Sequence, residues 1–156
     1  VGGHCISVDP WFLVGDYPDL TNLILTARKI NDSMPTHVLK RIRDIMREHN
    51  IKDISKVGLY GLTYKENVDD TRESPTLQLL ERMDEHLAFG VKVFDPFIKE
   101  RIVDHQFKNF EDFLNEIEIL VIMVGHDHIK NNMELIKNKL VLDTKNICTF
   151  EGVYKL

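Results

Sequence analysis

The pattern that most constrains this chain is an alternation of short apolar runs and amphipathic segments after residue 54. Four runs are typical of buried strands, because they are apolar or rich in β-branched and aromatic residues; they cover residues 56–60, 91–94, 119–124 and 140–142. Strands that alternate with helical segments form a parallel sheet with helices on both faces. The sequence therefore predicts an α/β fold.

The segment after residue 74 carries the clearest helix signals. Ser74 is a good N-cap and Pro75 suits the first helical position. Apolar residues then recur at helical spacing as far as Phe89, and Gly90 provides a stop. Shorter helices are predicted at residues 110–117 and 133–137.

A long helix is predicted ahead of the sheet. Apolar residues recur at helical spacing from Leu20 to about Asn50, with Pro35 as a break or kink, which indicates a helix in two pieces. Asp16 or Asp19 with Pro18 provides a start signal, and residues 49–50 a stop. Its basic residues, mixed with acidic ones, are typical of a solvated face rather than an anion site.

The composition excludes several classes of protein. With 156 residues, 43% hydrophobic and 29% charged, the chain can bury one respectable core. Twenty basic against 25 acidic residues give a net charge of −5, which argues against a nucleic-acid partner. No apolar run is long enough for a membrane span. Two cysteines cannot form a disulfide framework or a cysteine-based zinc site, so a cytoplasmic location is expected.

The first candidate site lies at the start of the chain. Cys5 follows two glycines, Gly2 and Gly3, whose lack of side chains lets a substrate approach closely, and a thiolate there is a plausible nucleophile. Asp9, four residues on, is close enough to position a water molecule or accept a proton. From spacing alone, a small buried thiol followed by an ordinary Asp9–Pro10 turn explains these residues equally well.

Residues 2–12 resemble the catalytic segment of the UDP-glucose/GDP-mannose dehydrogenase family, in which Gly-Gly-x-Cys is followed by Asp four residues after the Cys. His4 before Cys5 and the Asp-Pro-Trp-Phe run from Asp9 are most similar to the branch that acts on UDP-N-acetyl-D-mannosamine. Val8 stands where animal UDP-glucose dehydrogenases carry a Lys, so that residue's cofactor contact is not carried over. Trp11 and Phe12 are expected in a core or interface rather than under a sugar ring.

A second stretch, residues 61–75, resembles the same family's Gly-x-x-aromatic-Lys signature that ends in Asp-x-Arg-Glu-Ser-Pro. The resemblance implies that Tyr64 and Lys65 contact the nucleotide sugar and that Arg72 reaches the cofactor. Lys and Arg are natural partners of pyrophosphate oxygens. Taken alone, the stretch is better explained as a solvated loop in which these cations pair with neighbouring carboxylates.

A third, shorter match covers residues 141–146. It resembles the family's strand-end Asp-x-basic-Asn, in which the basic residue, here Lys145, contacts the nucleotide part of the substrate. Alone it is also an ordinary turn. The three matches follow the family's order along the chain.

The first strand-to-helix turn, residues 58–63, is not the Gly-x-Gly-x-x-Gly fingerprint of a dinucleotide site. Asp95 stands where a ribose-binding acid is found in such folds, but Asp95–Pro96 favours a turn. This Rossmann-like unit is therefore a poor NAD domain. The resemblance explains why: the family's C-terminal Rossmann-like domain holds the UDP part of the substrate, and NAD binds an N-terminal domain, expected to be absent here.

The resemblance implies two regions: residues 1–53 with the catalytic cysteine and a central dimerisation helix, and residues 54–156 as the UDP-sugar-binding domain. It implies an NAD-dependent oxidation of a sugar C6 alcohol to a carboxylate through a thiohemiacetal and a thioester at Cys5, with water assisted by Asp9. A homodimer, and no activity of this chain alone, are expected. The open alternatives are UDP-N-acetylglucosamine, UDP-glucose or GDP-mannose as substrate, or a stand-alone binding or dimerisation module.

Two histidines after the third predicted strand form the last candidate. His126 and His128 flank Asp127. This spacing gives no complete ligand set, so no metal site is predicted.

Overall fold

The computed structural model describes residues 5–86 and 88–156 of the chain, so the predictions for Gly2, Gly3 and His4 lie outside the described residues. Six strands form one sheet in the order β3-β2-β1-β4-β5-β6, with every neighbouring pair parallel. The strands are β1 (Val57–Tyr60), β2 (Lys92–Phe94), β3 (Gln106–Phe107), β4 (Ile119–Ile122), β5 (Leu140–Asp143) and β6 (Tyr154–Lys155).

Helices cover the sheet and precede it. They are α1 (Asp9–Asp16), α2 (Asn22–Glu48), α3 (Pro75–Glu85), α4 (Phe110–Glu116), α5 (Asp127–Asn131) and α6 (Met133–Ile136), with a 3-10 turn at Ile54–Lys56. The strand order is that of the Rossmann fold, and the predicted α/β class with a long preceding helix is confirmed. None of these helices, within the described residues, is long and apolar enough to cross a bilayer.

The four predicted strands are present, with ends shifted by at most two residues. The two-residue strands β3 and β6 and the helices α1 and α5 were not predicted. Each added strand pairs along one outer edge of the sheet, β3 with β2 and β6 with β5.

Alternate residues of the central strands enter two separate cores, because successive side chains of a strand point to opposite faces. On one face, Leu59 and Val121 pack with α2 and α3. On the other, Tyr60 and Ile122 pack with α4, α5 and α6. The sheet is therefore covered on both faces, as predicted.

Helix α2 corrects the prediction of a helix in two pieces. It runs unbroken through Pro35, which is buried in its interior. Proline removes one hydrogen bond from a helix interior, but the packing of the C-terminal half, from Val38 to Met46, into the first core stabilises the helix as a whole. The start was also wrong: Asp16 ends α1, and Thr21 is the N-cap of α2. The predicted stop is confirmed by the C-cap His49 and by Asn50 at φ 55°.

The start of α3 is as predicted, and its end is not. The Ser74 side chain accepts a hydrogen bond from the Thr76 N–H, and Pro75 opens the helix. The helix ends at Glu85 with His86 as C-cap, so Phe89 lies beyond it and is 60% exposed. The apolar spacing continues past the helix, since Ala88 still packs against the first core although its N–H closes a turn onto the Met83 carbonyl oxygen at 2.9 Å.

The helices that follow the two central strands, β1 and β4, pack on opposite faces of the sheet. The helix after β1, α3, packs on the α2 face, whereas α5 and α6, which follow β4, pack on the other face. Strands β1 and β4 are neighbours. The crevice outside the carboxyl ends of such a pair is where open α/β sheets bind ligands.

Candidate functional site

The loop from Gly61 to Ser74 begins at the carboxyl end of β1. Gly61 has φ +97°, and its N–H donates to the Phe94 carbonyl oxygen at 2.8 Å. A Cβ at this position would lie 2.5 Å from the Cβ of Val124, so only glycine fits. At the far end of the loop, the Thr76 hydroxyl donates to the Gly61 carbonyl oxygen at 2.7 Å. The loop is therefore closed at its base.

The predicted residues Tyr64 and Lys65 stand on this loop. The Tyr64 N–H donates to the Asp70 carbonyl oxygen at 3.1 Å, which folds the loop back on itself. Tyr64 is half-buried and Lys65 is exposed. An exposed ammonium beside a partly covered aromatic ring is free to meet an anionic ligand from solvent.

Arg72 stands on the same loop and is paired within it. Its Nε donates to Asp70 Oδ1 at 2.9 Å and its guanidinium also reaches Asp70 Oδ2 at 2.5 Å. The hydrogen bonds that the guanidinium donates to the Asp70 side chain, and the charge of that carboxylate, raise the pKa of Arg72. The ion-paired loop considered above therefore describes Arg72 correctly, and this pairing fixes the direction of an exposed guanidinium.

Lys145 stands on the loop that follows β5, and the buried carboxylate of Asp143 shapes this loop. Asp143 Oδ1 accepts from the Lys145 N–H at 2.9 Å, and Oδ2 accepts from the N–H groups of Ile147 and Cys148 at 2.7 and 2.8 Å. The Lys145 side chain is exposed. Asp143 thus holds the backbone that presents Lys145.

The two loops meet at Gly125. A Cβ on Gly125 would lie 3.4 Å from Ile147 Cγ2 on the loop after β5 and 3.6 Å from Glu66 Oε2 on the loop after β1. Because β1, β4 and β5 are parallel, all three loops lie at one edge of the sheet. The structure therefore brings together the loop from Gly61 to Ser74, called the Lys65 loop, and the loop that follows β5, called the Lys145 loop.

Cys5 and Asp9 also lie together, at the start of α1. The Asp9 N–H donates to the Cys5 carbonyl oxygen at 2.8 Å. Both residues are exposed and line a cavity of about 300 Å³ whose other walls are Ile6, Pro10, Leu13 and Ile24. The lining of this cavity does not include Tyr64, Lys65, Arg72 or Lys145. The alternative of a buried thiol is wrong for Cys5.

A second cavity is lined by residues of the cysteine segment and by the end of the loop after β1. Its volume is about 400 Å³, and Ser7 and Trp11 line it on one side, with Glu73 and Gln78 on another. Glu73 follows Arg72 directly and has φ +52°. The cysteine segment and the end of the loop that carries Arg72 therefore line the same cavity.

The carboxylate of Asp95 is bound within the protein. Both carboxylate oxygens of Asp95, the candidate ribose acid, accept hydrogen bonds within the protein: Oδ2 from the Leu62 N–H at 2.6 Å, and Oδ1 from the Phe97 and Ile98 N–H groups at 2.7 and 3.2 Å. The turn interpretation is therefore supported. In the part of the chain that the structure describes, no three His, Cys, Asp or Glu side chains form a group suited to a metal ion.

Sequence reasoning missed the residues that shape these loops. Asp70 and Asp143 lie inside the quoted motifs, and an aspartate two residues before a basic residue is the available signal. The sequence offers Asp95 as a ribose-binding acid or a turn residue, and gives no sign of its bonds to Leu62 and His126. The contacts of His126 with the loop after β1 had no signal in the sequence, because about 60 residues separate the partners.

A sequence model of the UDP-glucose/GDP-mannose dehydrogenase family, UDP binding domain, matches residues 58–150. The chain belongs to this family. The matched range contains both converging loops, so the family's UDP binding domain coincides with the part of the sheet described above.

Relatives in the family extend the match to most of the chain. A UDP-N-acetyl-D-mannosamine dehydrogenase from Methanocaldococcus jannaschii is 42% identical over 97% of this chain and 35% of its own length. An NDP-N-acetyl-D-galactosaminuronic acid dehydrogenase from Ralstonia nicotianae is 34% identical over 94% of this chain and 35% of its own length. The chain therefore spans about a third of the length of these relatives.

Solved structures of family members share the fold. The UDP-D-ManNAc dehydrogenase from Pyrococcus horikoshii has a TM-score of 0.83 at 27% identity, over 99% of this chain and 38% of that one. A UDP-N-acetyl-mannosamine dehydrogenase from Staphylococcus aureus has a TM-score of 0.79 at 32% identity, with the same coverage. The predicted family resemblance is confirmed.

Proposed function

We propose that this chain is the UDP-sugar-binding and cysteine-bearing part of an NAD-dependent enzyme that oxidises the C6 alcohol of UDP-N-acetyl-D-mannosamine to a carboxylate. The observation that carries the proposal is the meeting of the Lys65 and Lys145 loops at Gly125, at the centre of the carboxyl edge of the sheet, in a chain matched by the family's UDP binding domain. The relatives named UDP-N-acetyl-D-mannosamine dehydrogenase support the choice of sugar.

In this proposal Tyr64, Lys65 and Lys145 bind the nucleotide sugar. Two exposed ammonium groups on converging loops suit the oxygens of a pyrophosphate, and the half-buried ring of Tyr64 offers an apolar surface with a polar tip. Gly2 is proposed to let the sugar approach the cysteine closely.

Cys5 is proposed as the nucleophile. Its thiolate adds to the carbonyl carbon of the C6 aldehyde, which gives a thiohemiacetal, and loss of a hydride from that carbon and a proton from its oxygen leaves a thioester. Water then adds to the thioester carbon, the thiolate leaves, and the carboxylate is released. Asp9, which lines the same cavity as Cys5, is proposed to orient that water and accept its proton.

NAD, when bound, accepts the hydride in each of the two oxidations. The residues of this sheet do not form its site, because the loop after β1 lacks the glycine fingerprint and the Asp95 carboxylate is already engaged. Arg72 is the one residue proposed to reach it, from a loop whose end, at Glu73, lines the same cavity as Ser7 of the cysteine segment. We therefore propose that the 156 residues alone bind the UDP-sugar without turning it over.

We also propose a homodimer formed through α2. The N-terminal half of this helix presents apolar side chains to solvent, with Leu23 83% and Ile30 60% exposed, and Leu20, just before the helix, is 84% exposed. A second copy of the chain would cover them, and exposed apolar patches of this kind are typical of interfaces. A reducing cytoplasm is the proposed compartment, since Cys5 acts only as a free thiol.

UDP binding tests the nucleotide site directly. Isothermal titration of the 156-residue chain with UDP is expected to show binding that weakens about tenfold in Lys65→Ala and in Lys145→Ala, because each loses a charge-assisted contact. Lys52→Ala is the matched control, since Lys52 is exposed and precedes β1 at the opposite edge of the sheet. Equal affinities in all four proteins would refute the proposed site.

Turnover tests the chemistry and the sugar. The protein expressed from its complete reading frame is assayed with NAD and, in turn, the UDP forms of N-acetylmannosamine, N-acetylglucosamine, N-acetylgalactosamine and glucose, and GDP-mannose. The mannosamine compound is expected to give the highest kcat/KM, and Cys5→Ser is expected to stop formation of the acid. Undiminished acid formation by Cys5→Ser would remove Cys5 from the mechanism.

A further inference from the structure

The imidazole of His126 is fully buried and contacts the loop after β1 at two points. Its Nδ1 accepts a hydrogen bond from the Asn67 backbone N–H at 2.9 Å, and its Nε2 lies 3.4 Å from the Thr63 hydroxyl oxygen. Tyr64 and Lys65 stand between these two contacts. The histidine thus holds both sides of the segment that is proposed to bind the nucleotide.

The network fixes the tautomer of His126. A backbone N–H can only donate, so Nδ1 must accept from Asn67 and cannot carry a hydrogen. Nε2 therefore carries it, and faces Asp95 Oδ2 at 3.3 Å and the Thr63 oxygen. The Thr63 hydroxyl can accept there, because its own hydrogen goes to the Lys65 carbonyl oxygen at 2.8 Å. His126 is accordingly neutral, and its contact with Asp95 is a hydrogen bond rather than an ion pair.

Asp95 completes the connection to the sheet. It follows β2, and its Oδ2 also accepts from the Leu62 N–H at 2.6 Å. Although burial opposes it, the hydrogen bonds from His126 and from the Leu62 and Phe97 N–H groups hold the pKa of Asp95 below its ordinary value, so the acceptor stays charged. The loop after β1 is therefore attached to residues that follow β2 and β4.

We propose, on the basis of the proposed function, that His126 is a positioning residue for the nucleotide: through Asn67 and Thr63 it fixes the backbone that presents Tyr64 and Lys65 to UDP. Its full burial excludes direct contact with a ligand in solvent, and its ring nitrogens are both engaged within the protein. The imidazole combines an acceptor and a donor on opposite sides of one rigid ring, which this connection requires.

The test compares His126→Phe with His128→Phe. Phenylalanine keeps a ring of similar size at residue 126, where it packs against Phe97, but removes the hydrogen bonds to Asn67, Thr63 and Asp95. His128→Phe is the matched control, because His128 lies in α5, the helix that His126 caps, and its Nδ1 bonds to the Tyr60 hydroxyl at 3.1 Å rather than to the loop. Titration with UDP and hydrogen exchange of single amides are measured on both proteins and on the wild type.

We expect His126→Phe to weaken UDP binding about tenfold and to speed exchange at the Asn67 amide, while the Leu62 amide, bound to Asp95, stays protected. A purely structural role would speed exchange at both amides alike. His126→Asn, which keeps an acceptor oxygen near the position of Nδ1, is expected to restore protection of Asn67 and most of the affinity. His128→Phe is expected to bind UDP as the wild type does.

Thr63→Val keeps the experiment decisive if the His126 variants fail to fold. It is close to isosteric, removes the hydroxyl that joins His126 to the Lys65 carbonyl, and is expected to weaken UDP binding several-fold. Wild-type affinity together with wild-type Asn67 exchange in these variants would overturn the proposal. If instead UDP binding proves independent of Lys65 and Lys145, the proposed function fails, whereas Asn67 exchange still reports whether His126 positions the loop.

Discussion

Asn67 and Asp127 form a reciprocal pair across 60 residues of chain. The Asn67 Nδ2 donates to Asp127 Oδ2 at 2.9 Å, and the Asp127 backbone N–H donates to Asn67 Oδ1 at 3.0 Å. Asp127 is the first residue of α5, so the asparagine also satisfies one of the free N–H groups at that helix start. The pair joins the Lys65 loop to the helix that follows β4.

Substitution of Asn67 separates this pairing from backbone strain. Asn67 has φ +59°, which glycine adopts without cost and alanine does not. Asn67→Gly is expected to weaken UDP binding a few-fold by removing the pairing alone, and Asn67→Ala to lower the free energy of unfolding by a further ~1 kcal/mol. Titration with UDP and urea unfolding measure the two effects. Equal stability of the two variants would show that the positive φ imposes no cost.

Gly61→Ala is expected to lower the free energy of unfolding by about 2–4 kcal/mol, because the new methyl group meets the Val124 side chain at a positive φ. The matched control is Gly15→Ala. Gly15 lies in helix α1, and a Cβ added to it meets nothing within 4 Å. There alanine is expected to raise stability by up to ~1 kcal/mol. Urea unfolding checks both, and a neutral Gly61→Ala would contradict the close approach.

The two cysteines are expected to differ in reactivity. Cys5 is exposed, whereas Cys148 is buried, and burial together with the charge of Asp143 raises the pKa of the Cys148 thiol to about 12. Because the thiolate is the reactive form, iodoacetamide at pH 8 is expected to modify Cys5 in the folded chain and leave Cys148 intact. Peptide mass spectrometry gives the site. Denatured protein, in which both thiols react, is the control, and modification of Cys148 first would contradict the prediction.

The lowered pKa of Asp95 predicts that the protein loses stability in acid. Its folded pKa lies below the ordinary value of 3.8, since its hydrogen bonds with His126, Leu62 and Phe97 outweigh burial. A lowered carboxyl pKa contributes stability that is present above pH 3.8 and is lost as the pH falls through the folded pKa. Between pH 5 and pH 2.5 the free energy of unfolding of Asp95→Asn is therefore expected to fall less steeply than that of the wild type. Parallel curves would show that Asp95 does not contribute.

The central strands were predictable because burial on both faces leaves a continuous apolar run such as residues 119–122. The edge strands β3 and β6 were not, since Gln106 and Lys155 carry no strand signal and become strand only by pairing with a neighbour. Helix α1 has no buried residue among its eight, so its sequence carries no amphipathic pattern to detect.

The candidate site was predictable where a residue's chemistry is enough to mark it. Cys5, Lys65 and Lys145 each stand in a motif that resembles the family's. His126 was examined as a metal ligand instead, because its true partners, the Asn67 N–H and the Asp95 carboxylate, are contributed by loops that only the fold brings together. A sequence does not show which backbone group will bond to which side chain, so contacts of this kind cannot be predicted from it.

The unbroken course of α2 has a mechanical consequence. A helix of 27 residues is about 40 Å long, and its C-terminal half, from Val38 to Met46, is fixed in the core while α1 and Cys5 lie beside its other end. A displacement of Cys5 relative to the sheet that keeps α1 packed against α2 therefore requires this helix to bend or to move as a whole. Pro35, where one hydrogen bond is missing, is the point at which bending requires the least force.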